Sequence, residues 1–202
     1  MPTRPPTPAL PASPPPSPTH MSSSSHSTPR VVSEVALDNS FQGDTIQTCV
    51  VTRDMQRTLA GMVKLGIGPW RIYEFGPETC SDMTYRGQPG RYRMKLALAF
   101  SGTMMWEVIE PITGPNIYED FLREHGEGIH HVAQGCNGLP YAERVATYLA
   151  RGLELIQSGT WQGRVPYAYF GTEGLITTTI EIFDIPADFA LPEPLAWYPA
   201  RP

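Results

Sequence analysis

"GEGIHHVAQGCNGLPYAERVATYLARG", residues 126–152, runs from a double-glycine turn through a β-forming segment into an amphipathic helix that stops at a glycine. The strand is "IHHVAQ", and the helix carries Ala142, Val145 and Leu149 at helical spacing. Three short segments rich in β-formers follow, "LELIQSGTWQG", "VPYAYFGTEG" and "LITTTIEIFDIP", each bounded by glycine or proline. The order is therefore β-α-β-β-β. Upstream it occurs once before. "TIQTCVVT" (45–52) reads as a strand, and "RDMQRTLAGMVKLGIG" as a helix through Met55, Leu59, Met62, Val63 and Leu65. "PWRIYEFG" is a strand, 76–92 a loop rich in Gly, Pro and polar residues, and "KLALAFSGTMMWEVIEP" a hairpin turning near Gly102.

Two such copies, repeat one over 44–111 and repeat two over 128–186, joined by a linker helix at 116–126 ("NIYEDFLREHG"), predict an α+β fold. Each copy has a sheet face it cannot bury alone, so the pair is expected to close into a cupped, mostly antiparallel barrel. After it comes a Pro-rich C-terminal tail, 187–202, in which Trp197 and Tyr198 predict packing across the barrel or a neighbouring subunit.

The repeat also registers residue by residue. "WEVIEP" (106–111) and "IEIFDIP" (180–186) each place a glutamate, Glu107 and Glu181, in an apolar strand. Superposing the first strands of the two copies sets Gln47 against His131. Strand alternation puts Ile129, His131 and Ala133 on one face and sends His130 to the other, where it reads, like His125, as a surface or supporting residue. A single glutamate in an apolar strand usually sits on a solvated outer face. Four polar residues at two pairs of equivalent positions instead converge on one axis. One imidazole, two carboxylates and an amide oxygen form a mixed N/O donor set for a divalent metal: Zn, Ni, Co, Fe, Mn or Mg. Two glutamates inside a barrel without a cation would be costly, which favours a metal.

The segments "TIQTCVVTRD", "MMWEVIEP", "GEGIHHVAQ" and "TIEIFDIP" resemble the vicinal oxygen chelate superfamily, which includes glyoxalase I, methylmalonyl-CoA epimerase, extradiol dioxygenases and bleomycin-resistance proteins. The resemblance implies metal ligands at Gln47, Glu107, His131 and Glu181. It further implies a metal-dependent isomerase, epimerase or lyase that removes a proton next to a metal-bound carbonyl through an enediolate-type intermediate. Glu181 is then the expected base and Glu107 the second acid/base. "GEGIHHVA" is most similar to the epimerases, whereas the ligand order Gln, Glu, His, Glu resembles zinc glyoxalase I. The places that resemble glutathione anchors hold Val51, Glu127 and Pro111, none of them cationic. Two alternatives stand beside this reading: a specialised-metabolite enzyme catalysing cyclisation, dehydration or isomerisation on the same site, and a non-catalytic binder of the bleomycin-resistance type. The expected partners are a small-molecule carbonyl substrate and, by resemblance, a second copy in a homodimer.

The first forty residues are almost all Pro, Ser, Thr and Ala, a composition with too little apolar surface to offset the entropy of ordering, so 1–40 is expected to be disordered. Arg4 and Arg30 without an acid before Glu34 also leave organelle targeting open, although the prolines oppose the amphipathic helix such segments use. A formal charge of −5 with scattered Lys and Arg speaks against nucleic acid as a partner. Without an apolar run long enough for a bilayer, the expectation is a cytoplasmic protein with no membrane partner. Three cysteines, Cys49, Cys80 and Cys136, lack CxxC spacing and read as small buried hydrophobes.

Overall fold

The computed structural model describes residues 42–202; the expectations for 1–40 lie outside the described residues. The chain runs β1 (Thr45–Val51), α1 (Met55–Lys64), β2 (Trp70–Phe75), β3 (Cys80–Tyr85), β4 (Gln88–Pro89), β5 (Arg93–Ser101) and β6 (Met104–Thr113). It continues through α2 (Ile117–Glu124), β7 (Gly128–Gly135), α3 (Tyr141–Ala150), β8 (Leu155–Trp161), β9 (Val165–Phe170), α4 (Glu173–Ile176), β10 (Thr179–Phe183) and β11 (Ala196–Tyr198).

All strands belong to one mixed sheet, ordered β11-β2-β5-β6-β1-β7-β10-β9-β8-β3-β4. β1 and β6 are parallel, as are β7 and β10, and the halves meet where β1 and β7 run antiparallel. The two βαβββ units are thus related by a pseudo-twofold at the β1–β7 seam. The sheet is cupped, but its edges stay open, which corrects the closed barrel expected from the repeat. The concave face holds the larger core, with Tyr73, Leu96, Ile109, Tyr118 and Tyr169. The convex face is covered by α1 on one half, around Leu59 and Trp70, and by α3 on the other, around Tyr148 and Phe170.

Local chemistry explains the element ends. Asp54 accepts from the Arg57 N–H and caps α1, and Glu110 accepts from the Met55 N–H at the same helix start. The linker helix α2 begins at Asn116, whose side chain accepts from the Glu119 N–H. Gly102, at φ 62°, makes the β5–β6 turn where a side chain would be strained.

Two segments depart from the sequence reading. The 76–92 loop contains β3 and β4, and β3 pairs with β8 of the other half. Asp82 adopts φ 52° inside β3 and the register slips between Ser81 and Thr84, so the strand lacks the period-two pattern that would have marked it. Helix α3 buries Arg144 and Tyr148 rather than Ala142 and Leu149, and Leu149 is 46% exposed. The Arg144 guanidinium donates to the Cys136 carbonyl at 2.8 Å, and Tyr148 stacks on Phe170 at 4.6 Å. The tail adds β11 antiparallel to β2, and Phe189 packs edge-on to Trp161 at 5.6 Å. No described helix is long and apolar enough to cross a membrane.

Glu127, just before β7, holds the two halves together at the seam. Its carboxylate accepts from the Arg53 N–H and the Thr52 hydroxyl and pairs with Arg57 at 2.6 Å. These donors, Arg57 foremost, hold its pKa at about 2 against an ordinary 4.5. A folded value below the unfolded one means stabilisation that is present above pH 4.5 and lost as pH falls towards 2. Glu127→Gln is therefore expected to lower the melting temperature at neutral pH, with the gap to wild type closing in acid. Thermal melts across that range check it; a gap that persists at the acid end would contradict it.

Candidate metal centre

The seam positions the polar residues. Cys49 on β1 stands opposite Glu107 on β6 and opposite His131 on β7. In the second half Ala133 stands opposite Glu181 on β10. Cys49 and Ala133 are thus equivalent, and the residues two places before them, Gln47 and His131, are the equivalent pair that the repeat register indicated.

All four expected residues are buried: Gln47 2%, Glu107 5%, His131 0% and Glu181 4% exposed. His131 Nε2 lies 3.1 Å from Glu107 Oε2 and 3.2 Å from Glu181 Oε2. Gln47, Glu107 and Glu181 share the wall of one cavity of about 240 Å³ on the concave face. The structure therefore brings Glu107, His131 and Glu181 into contact and sets Gln47 on the same cavity.

His130 is not a surface residue. It is 2% exposed, its Nδ1 sits 2.8 Å from His131 Nδ1, and its ring packs edge-on to Phe121 and Tyr118. The cause is a bulge: β1 pairs Cys49 with His131 but Val50 with Ile129, so His130 is an extra residue in β7. The bulge breaks the alternation, both imidazoles turn inward, and Ile129, expected beside His131, is 58% exposed. His125 ends α2 and is exposed.

Cys49 is the neighbour that sequence reasoning missed. Its Sγ, a Glu107 oxygen and a His131 ring nitrogen all lie within 4.8 Å of one another. The signal was available, since strand alternation puts Cys49 on the face of Gln47.

The electrostatics follow from burial and proximity. Burial by itself would hold His131 neutral, but the hydrogen bond to Glu107, the close approach of Glu181 and the charges of both carboxylates push it up to about 9. Burial, reinforced by the charge on His131, drives His130 well below the ordinary histidine value, so His130 stays neutral. A neutral His130 accepts at Nδ1 from the Nδ1–H of His131, which turns His131 Nε2 towards the carboxylates. Burial raises the Glu181 carboxyl above its ordinary range; His131 pulls it back, and the Glu107 charge pushes it up again. Burial, then the Glu107 charge, likewise raises the Cys49 thiol.

The single Nε2–H is directed at Glu107, and Glu181 Oε2 is left buried with no hydrogen-bond partner. Burying a carboxylate costs several kcal/mol, roughly, whereas a hydrogen bond returns about 1 kcal/mol. One imidazole therefore does not compensate two carboxylates. A divalent cation in place of the Nε2 proton would, and the donors at hand, imidazole, carboxylates, amide and thiol, suit borderline ions such as zinc or cobalt.

A cupped sheet of paired βαβββ units with buried donors facing its concave side is the vicinal oxygen chelate architecture. The model of the Glyoxalase/Bleomycin resistance protein/Dioxygenase superfamily matches residues 46–169, and the chain belongs to that family. Among solved structures it is similar to methylmalonyl-CoA epimerase from Mycobacterium tuberculosis, with TM-score 0.54 and 14% identity over 75% of this chain and 93% of that one. A hypothetical protein from Bacillus halodurans superposes with TM-score 0.53 and 18% identity over 73% and 98% of the two chains. A Streptomyces coelicolor methylmalonyl-CoA epimerase variant in complex with 2-nitronate-propionyl-CoA gives 0.51 and 14% over 72% and 99%. No curated protein matches in sequence.

Proposed function

We propose that this chain is a metal-dependent isomerase, epimerase or lyase that moves a proton on the carbon next to a carbonyl. The observation that carries the reading is the buried, hydrogen-bond-free Glu181 Oε2, set beside a second carboxylate and one imidazole at the base of a cavity. Family membership and the likeness of the fold to epimerases support it.

Gln47, Glu107, His131 and Glu181 would hold the ion, with Cys49 as a further donor within reach of Glu107 and His131. When bound, a divalent cation supplies Lewis acidity that stabilises negative charge developing on the substrate's carbonyl oxygen. Glu181 takes the proton. Its carboxylate is buried at the cavity beside the other donors, where a general base must stand. Glu107, on the equivalent strand of the other half, returns a proton in the isomerase and epimerase versions. His130 fixes the His131 ring so that Nε2 faces the carboxylates. The apolar cavity wall excludes bulk water from the reacting carbon, so that exchange with solvent passes through the carboxylates. In this reading the chain works as a homodimer on a small-molecule carbonyl substrate.

The test is solvent-proton exchange. Full-length protein, loaded in turn with zinc, cobalt, nickel and manganese, is incubated in D₂O with a panel of α-hydroxyketones, and NMR follows the α-proton. Loss of that signal above the metal-only blank is the expected result. Absence of exchange with every metal and ketone would leave the cup as a binding pocket.

A further inference from the structure

We infer that the substrate is an uncharged, mainly apolar ring compound whose polar groups are confined to the carbonyl end and at most a few neutral oxygens. The inference rests on the preceding reading, in that the Glu107–Glu181 end of the cavity is taken as the reacting end.

The cavity wall supplies the argument. Around the polar base it is built from aliphatic and aromatic side chains of both halves, among them Leu96, Phe183 and Trp161. Phe75, another lining residue, stacks on Trp161 at 4.7 Å. The aromatic surface these side chains turn to the cavity favours a flat ring packed against it. Towards solvent the rim remains apolar: Phe100 and Ile185 line the cavity while 51% and 43% exposed. The tail residues Phe189 and Leu191 complete it.

Charge excludes the alternatives. Among the described residues lining the cavity there is no Lys, Arg or His, and the only ionisable acids are Glu107 and Glu181. A divalent ion held by those two carboxylates, neutral His131 and Gln47 leaves the base of the cavity with no net positive charge. A carboxylate or phosphate on the body of the substrate would be desolvated there without a partner. Arg164 approaches from outside, over the Phe189 ring at 5.9 Å, but it is already bonded to Asp188 at 2.7 Å. Besides Gln47 and Tyr169, the wall carries the Tyr167 hydroxyl, 3.3 Å from that of Tyr92. It suits a phenol or ketone oxygen on the ring. The contrast is with the structurally similar Streptomyces enzyme, whose complex holds a propionyl-CoA analogue.

Two fluorescent ketones of similar size test the inference, 6-methoxy-2-acetylnaphthalene and 6-acetyl-2-naphthoate, which share the carbonyl end and differ in charge at the far end. Binding is titrated by probe emission on full-length protein, as purified and zinc-loaded, with propionyl-CoA as competitor. The expected result is saturable, blue-shifted binding of the methoxy ketone, at least about tenfold tighter than the acid, with no competition from propionyl-CoA. Leu191→Arg, which places a cation at the rim, should narrow that ratio, and circular dichroism verifies its fold. Equal or tighter binding of the acid, displacement by propionyl-CoA, or no saturable binding of the methoxy ketone overturns the inference. Because binding is read without turnover, a protein that holds the neutral ketone yet exchanges no proton contradicts the proposed reaction and not the ligand class.

Discussion

Glu181→Gln is expected to reduce α-proton exchange by about 10²–10⁴-fold, the usual worth of a positioned general base, while leaving the fold intact. Glutamine matches glutamate in shape, and its amide oxygen can still face the cation, but an amide accepts no proton at neutral pH. The side chain sits in β10 between β7 and β9, fully paired, so the strand itself is not at risk. Removing the charge relieves first its burial and then the repulsion from Glu107, which together outweigh the attraction of His131, and the metal-free variant should melt no lower than metal-free wild type. Glu107→Gln should have a smaller effect on exchange, or alter stereochemistry, because it leaves the base in place. NMR exchange rates and melting curves on the two variants check both statements. Exchange that survives unchanged in Glu181→Gln would make another group the base, with Glu107 next in line.

His131→Ala should lose the metal. Its imidazole is the nitrogen donor in a set otherwise made of oxygen and sulfur, and metal affinity should fall by more than about a hundredfold, beyond the loss expected for a supporting residue alone. The pH dependence of loading in wild type follows from the same residue. In the metal-free protein His131 holds a proton up to about pH 9, and a cation must displace it. Apparent affinity should therefore rise as pH increases from 6 towards 9 and then level off, with roughly one proton released per ion near neutrality. Calorimetry in two buffers of different ionisation enthalpy reads that proton. The metal-free protein should behave oppositely: a folded pKa above the unfolded 6.5 gives stabilisation that is complete below 6.5 and lost as pH rises through 9.

Much of the architecture was legible because repeated patterns are hard to produce by accident. The order β-α-β-β-β occurs twice, and Glu107 and Glu181 interrupt equivalent apolar strands. The inward placing of Gln47 and His131 followed from superposing the copies. What escaped the reading was whatever broke local periodicity. A bulged residue carries no mark in sequence, so His130 was assigned to the wrong face. A left-handed residue, Asp82, splits the pattern of β3, whose partner lies in the other half. Cys49 was read as a hydrophobe because a thiol packs as one, although its spacing from Gln47 already put it on the inner face. The buried face of α3 was misjudged because Arg144 reads as a solvated charge, whereas it is buried with its guanidinium on the Cys136 carbonyl.

The proposed chemistry requires that the buried cluster at the β1–β7 seam hold a divalent ion. Elemental analysis of full-length protein after loading with zinc and exhaustive desalting tests it most directly, with the His131→Ala variant run in parallel. About one ion per chain is expected in wild type and close to none in the variant. A wild type that retains no metal, or a variant that retains as much as wild type, would contradict it.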